Sequence, residues 1–163
     1  MRIIDVVVAL ALVLAVGFVA EWLQRKDVFA GPARVVDGDT LKLDGQRIRL
    51  QGMDAPELGQ SCQRDGKAWP CGTTARFALA EMVQRGEVFC TASGQDAYGR
   101  ALARCTVDGV DIAEELVRQG LAVAYGRHGY EAAEAQARAA RRGMWAGTFE
   151  KPQDYRAAHP RTE

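Results

Sequence analysis

The feature that most restricts the fold is a tight-turn signal set between two alternating stretches. Residues 40–43 lead into Asp44-Gly45 and residues 47–50 lead out, with Ile48 and Leu50 alternating with Arg47 and Arg49. Asp-Gly suits a two-residue hairpin because both central positions take positive φ. Period-two alternation then gives the hairpin one apolar and one polar face, with Arg49 on the polar one. A folded part that begins this way is committed to antiparallel pairing around a β-rich core.

The rest of the chain supplies partners for that hairpin. Residues 33–36 read as a strand before it, and residues 87–91 and 100–107 as two more after it, for a total of about five strands. Residues 58–72, rich in Gly, Pro, Gln and Asp, read as a loop. A helix follows on Ala75, Ala78, Leu79, Met82 and Val83, with Thr73 or Thr74 as its cap and Gly86 as its stop. Asp111 caps a second helix reaching Gln119, with Ile112, Leu116 and Val117 on its apolar side and Gly120 after it. A third spans 131–142 with an alanine inner face, ended by Gly143 and covered by Trp145. From Gly147 onward no period is visible, and Phe149 and Tyr155 are the expected tethers of a surface-wrapping tail. The fold class is β-rich α+β.

An apolar run over residues 3–20, broken only by Asp5, precedes the domain. At 1.5 Å per residue it makes about 27 Å of helix, just enough for a hydrocarbon core. Residues 1–23 therefore read as a signal-anchor or a signal peptide, and the poorly placed small-residue sites favour the anchor. Residues 24–32 read as a linker, 33–147 as the folded domain and 148–163 as the tail. Four cysteines, Cys62, Cys71, Cys90 and Cys105, form no C-x-x-C pair and have no histidine cluster beside them, which argues for disulfides over zinc. Of three pairings, Cys62–Cys71 closes a short loop and Cys90–Cys105 flank one turn symmetrically; sequence alone leaves the connectivity open. Disulfides imply an exported domain on the periplasmic or extracellular face, held to the membrane by its N-terminal helix. Formal net charge is zero. Removing residues 1–30 takes away Arg2, Arg25 and Lys26 against Asp5, Glu21 and Asp27, so the domain stays balanced and is no broadly basic nucleic-acid binder. No protein partner is expected, and the domain reads as a monomer.

Within this frame lies a set of charged residues suited to phosphodiester hydrolysis: Asp37-Gly38-Asp39-Thr40, Arg49, Asp54-Ala55-Pro56-Glu57 and Asp96 to Arg100. Asp39 and Asp54 are hard oxygen donors of the kind calcium takes, with one backbone carbonyl and water completing the shell. Glu57, offset from Asp54 by a stiffening proline, suits a general base for water. Arg49 and Arg100 suit a bidentate clamp on a phosphate as charge builds. His128 and His159 are the only histidines and sit in polar sequence, so neither carries the chemistry.

Those motifs carry a resemblance. The stretches VVDGDTLKL, IRLQGMDAPE, DAYGRALA and ELVRQGLAVAY resemble the staphylococcal nuclease (thermonuclease) family in order and spacing, from Arg34 to about Trp145. The resemblance implies a five-stranded OB-fold barrel with three helices, and calcium-dependent cleavage of DNA and RNA leaving 3′-phosphates. It implies metal ligands at Asp39, Asp54 and the Ala55 carbonyl, and catalytic groups at Arg49, Glu57 and Arg100. It further implies a supporting carboxylate at Asp37 and nucleotide contacts at Tyr98 and Tyr125. Ala97 stands where the family often has lysine, and a second downstream tyrosine is replaced near Arg127, departures that bear on nucleotide affinity more than on chemistry. The expected function is an exported calcium-dependent nuclease. The alternative is a nucleic-acid-binding OB module of the same fold that has little catalysis.

Overall fold

The computed structural model describes residues 3–23, 27–126 and 129–160, so Arg127 and His128 lie outside the described residues. It begins with α1 (Ile3–Leu23), whose described side chains, Val7, Leu10, Val13 and Phe18 among them, are exposed. Among the described residues no helix is long and apolar enough to cross a membrane, so the spanning anchor expected from the sequence is not supported.

Among the described residues eleven short strands follow: β1 (Val28–Gly31), β2 (Ala33–Val35), β3 (Thr40–Leu43), β4 (Gln46–Leu50), β5 (Met53–Asp54), β6 (Cys62–Arg64), β7 (Lys67–Trp69), β8 (Val88–Gln95), β9 (Ala101–Val107), β10 (Val110–Asp111) and β11 (Val123–Ala124). Seven of them form one sheet in the order β1-β8-β9-β4-β3-β2, with β10 on β9. All its pairings are antiparallel except β4 with β9. Strands β1 and β2 stand at opposite ends of that order, yet only Pro32 separates them in the chain. The sheet therefore curls, giving a half-barrel of OB-like α+β character. Its seven strands exceed the expected five because β1 pairs within the segment read as linker and β10 extends the edge.

The hairpin forms as the turn signal required. Asp44 and Gly45 take φ of 49° and 76°, and Thr40 lies opposite Arg49 across β3 and β4. That register turns Leu41, Leu43, Ile48 and Leu50 inward, each essentially inaccessible. Full burial of a side chain of this size is worth about 1.5–3 kcal/mol over leaving it in water.

Over that inner face pack α2 (Cys71–Val83), through Ala75, Leu79 and Met82, and α3 (Ile112–Arg118), through Ile112, Leu116 and Val117. Helix α2 starts at Cys71, before the expected cap. Thr73 and Thr74 lie inside its first turn, where their hydroxyls donate to the Leu58 and Pro70 carbonyls. Asp111 does cap α3, accepting from the Ala113 and Glu114 amides at 3.0 and 3.1 Å.

Both expected disulfides are present. Cys90 and Cys105 are directly opposite on β8 and β9, while Cys62–Cys71 ties β6 to the first turn of α2. The segment read as a plain loop, 58–72, holds the β6–β7 hairpin. Helix α4 (Glu131–Ala139) stops short of the expected 142, and a 3-10 turn (Gly143–Ala146) follows. The tail is not irregular: Pro152–Ala158 form a further helix, α5.

Candidate active site

Three short elements converge on the polar edge of the β3–β4 hairpin. The first is the turn before β3. Asp37 Oδ1 accepts the Asp39 amide at 3.2 Å, and Asp39 accepts a 2.9 Å hydrogen bond from the Thr40 hydroxyl. Gly38 is obligatory there because a Cβ would lie 2.8 Å from the Cβ of Ala55. That approach fixes the Asp39 turn against the second element, residues 53–57.

Arg49 bridges the two. From the polar face of β4, its Nη1 donates to Asp39 Oδ2 at 2.6 Å and its Nη2 to Asp54 Oδ1 at 2.8 Å. Both carboxylates are buried, Asp54 at 1% exposure and Asp39 at 6%. Burial pushes the Asp39 carboxyl up to about 6 even though Arg49 pulls it down, and the nearby Asp37 and Asp54 push the same way as burial. For Arg49 burial works downward, but the charges of Asp39 and Asp54 outweigh it and hold the guanidinium above its usual value.

The third element is the β8–β9 turn. Asp96 Oδ2 accepts from Arg100 Nε at 2.6 Å, and Arg100 Nη1 donates to the Thr40 hydroxyl at 3.3 Å. Thr40, whose hydroxyl in turn donates to Asp39 Oδ1, is the link that brings Arg100 to the carboxylates, a role its sequence context does not signal. Tyr98 reaches this network only through Arg100, whose guanidinium carbon lies 5.7 Å from the ring centroid, and is 86% exposed. Tyr125, half-exposed, donates its amide to the Gly52 carbonyl and lines a cavity of about 150 Å³ beside Asp54, Trp145 and Pro152.

Glu57 is held by its backbone. Its amide donates to Gln60 Oε1 at 3.2 Å, and the buried Gln60 donates onward to the Glu150 carbonyl at 2.7 Å. Helix α2 presses on the same point: a Cβ at Gly72 would sit 1.7 Å from the Glu57 carbonyl oxygen.

One side chain arrives from outside this frame. Arg156, on α5, donates to both oxygens of Asp54 at 3.0 and 2.9 Å and to Glu57 Oε1 at 3.2 Å. Sequence reading missed it because the tail lacks an apolar period. The legible signal was Pro152 with Asp154 close behind, a first-turn signature that places Arg156 one turn along.

The donor set fits a hard cation. Asp39 and Asp54 lie closely enough to share one guanidinium, and both offer only oxygen. Among the described residues no three acidic, histidine or cysteine side chains gather into a metal cluster; a cation held here would draw on the two carboxylates, with a backbone carbonyl and water to fill its shell.

Residues 47–147 match the family described as Staphylococcal nuclease homologue. The chain belongs to the staphylococcal nuclease family. Similar members include a probable staphylococcal-like nuclease of Oryza sativa subsp. japonica, 32% identical over 84% of this chain and 41% of its own length. Endonuclease YncB of Bacillus subtilis is 36% identical over 63% of this chain and 51% of its own. The succinoglycan biosynthesis protein ExoI of Rhizobium meliloti is 36% identical over 57% and 50%. The chain thus spans about half the length of these relatives, or less. The staphylococcal nuclease match takes in Arg49, Asp54, Ala55, Glu57, Tyr98, Arg100 and Tyr125, while Asp37 and Asp39 precede it and Arg156 lies beyond it.

Proposed function

We propose that the protein is a calcium-dependent nuclease that hydrolyses phosphodiester bonds of DNA, RNA or both and leaves 3′-phosphate ends. The observation that carries this reading is the single hydrogen-bonded chain from Arg100 through Thr40, Asp39 and Arg49 to Asp54, with Glu57 beside it. In this reading Asp39, Asp54 and the Ala55 carbonyl hold the calcium ion, with Asp37 orienting the Asp39 turn. When bound, the ion neutralises phosphate charge and polarises the phosphorus–oxygen bonds.

Arg49 and Arg100 hold the non-bridging oxygens, with Arg100 kept in place by Asp96 and Thr40. Glu57 takes a proton from water as its oxygen attacks phosphorus, the bond to the 5′ oxygen breaks, and the proton held on Glu57 returns through solvent to that oxygen as it leaves. Tyr98 and Tyr125 flank the site as nucleotide contacts. The two disulfides support work in an oxidising, exported compartment, with residues 1–23 as the export leader. Cleavage of labelled DNA and RNA in calcium against excess chelator, with end-group analysis of the products, tests the reading. Activity in chelator, or 5′-phosphate ends, overturns it.

A further inference from the structure

We propose that α5 is an intrasteric latch: the Arg156 guanidinium occupies the Asp54 carboxylate in place of a divalent cation, and calcium binding releases it. The inference rests on the reading of Asp54 as a metal ligand. Both Asp54 oxygens already accept from Arg156, at 3.0 and 2.9 Å, and one also accepts from Arg49. Calcium needs such oxygens at about 2.3–2.6 Å, within the shell that the guanidinium nitrogens fill. Arg49 takes one Asp54 oxygen and Arg156 takes both, so calcium and Arg156 compete for the same oxygen lone pairs, and like-charge repulsion at short range adds to that competition. Arg156 also donates to Glu57 Oε1, so the same side chain engages the group assigned to water. The resting contact is therefore inactive on two counts.

The segment is built to deliver Arg156 and to let it go. Its base is fixed: Thr148 pairs with Gln63, the Glu150 carbonyl accepts from buried Gln60, and Pro152 is buried at the helix start. Beyond Pro152 the seven-residue helix buries no other residue. Tethering a few residues from the anchor gives Arg156 a high effective concentration at Asp54, while the lack of apolar burial leaves the ionic contacts to hold α5 in place. The strength of such a latch is that of a charge-assisted bidentate pair, enough to weaken calcium binding roughly tenfold. Arg156 lies beyond residues 47–147, the stretch that the family model matches.

Isothermal titration of the full chain with calcium, for wild type, Arg156→Gln and Arg156→Lys, tests the proposal. Arg156→Gln should bind calcium roughly tenfold more tightly than wild type, with Arg156→Lys between them. Equal or weaker binding by Arg156→Gln overturns the latch while leaving the metal reading intact. No binding by any of the three sinks the latch and the metal reading together. Hydrogen exchange gives a readout that survives a poorly folded variant, because it uses wild type alone. Calcium should speed exchange of the Tyr155 and His159 amides, which now donate to the Lys151 and Tyr155 carbonyls. Protection that is unchanged or increased by calcium overturns the proposal.

Discussion

Removing the Cys62–Cys71 bridge by Cys62→Ala with Cys71→Ala should damage both stability and turnover, whereas removing Cys90–Cys105 should damage stability alone. The bridges close sequence separations of 9 and 15 residues. Loop-closure entropy then gives about 2.6 kcal/mol for the first and about 3.0 kcal/mol for the second at 25 °C. In a domain of roughly 130 residues, 2.6 kcal/mol lowers Tm by about 10 °C. The functional difference comes from position. Cys71 opens α2 beside Gly72, whose backbone presses on the Glu57 carbonyl, and the Gln60 carbonyl accepts the Gly72 amide across the same loop. The Cys90–Cys105 bridge crosses β8 and β9 within the core. Urea melts give the stabilities, and kcat measured well below Tm gives the turnover. A kcat in Cys62→Ala/Cys71→Ala equal to wild type would refute the claim that this bridge places Glu57. Losses under about 1 kcal/mol for both pairs would refute the entropic estimate.

Glu57→Gln should retain the fold and calcium binding while losing at least about 10²-fold in kcat, the usual scale for a general base; near-normal turnover removes Glu57 from that role. Gly72→Ala should lower kcat as well as Tm, because the new Cβ displaces the Glu57 carbonyl; a Tm loss with unaltered kcat would mean the displacement does not reach the carboxylate. Asp96 supplies the pH test. Burial draws its pKa upward, but hydrogen bonds from the Arg100 amide and side chain and from the Tyr98 amide outweigh it and hold the carboxyl below its ordinary value. Its contribution to stability is therefore complete above the unfolded value near 3.9 and is lost as pH falls through the lower folded value. The stability gap between wild type and Asp96→Asn, from urea melts, should be constant above about pH 5 and close toward pH 2; a gap that widens on acidification contradicts the assignment.

The parts of the fold that the sequence made legible are those where local chemistry and tertiary packing agree. Asp44-Gly45 fixes its hairpin without outside help, Asp111 caps its helix with its own side chain, and the alternation through Arg49 sets which face it leaves. Strand β1 was hidden because Val28–Gly31 is a four-residue stretch with no polar–apolar alternation, and it becomes a strand only by pairing with β8. Asp39, Asp54, Arg49 and Arg100 were legible as a chemistry set and are brought together. Thr40, Gln60 and Arg156 were not, because each acts through a partner remote in sequence: Arg100 for Thr40, Glu150 for Gln60, and Asp54, 102 positions away, for Arg156.

Calcium-dependent cleavage remains the most direct test of the assignment of Asp39, Asp54, Arg49, Arg100 and Glu57 to one active site. Plasmid DNA incubated with the purified chain should be digested to 3′-phosphate ends in calcium, and left intact both in excess chelator and by Asp54→Asn in calcium. Equal digestion with and without chelator, or full activity of Asp54→Asn, would contradict it.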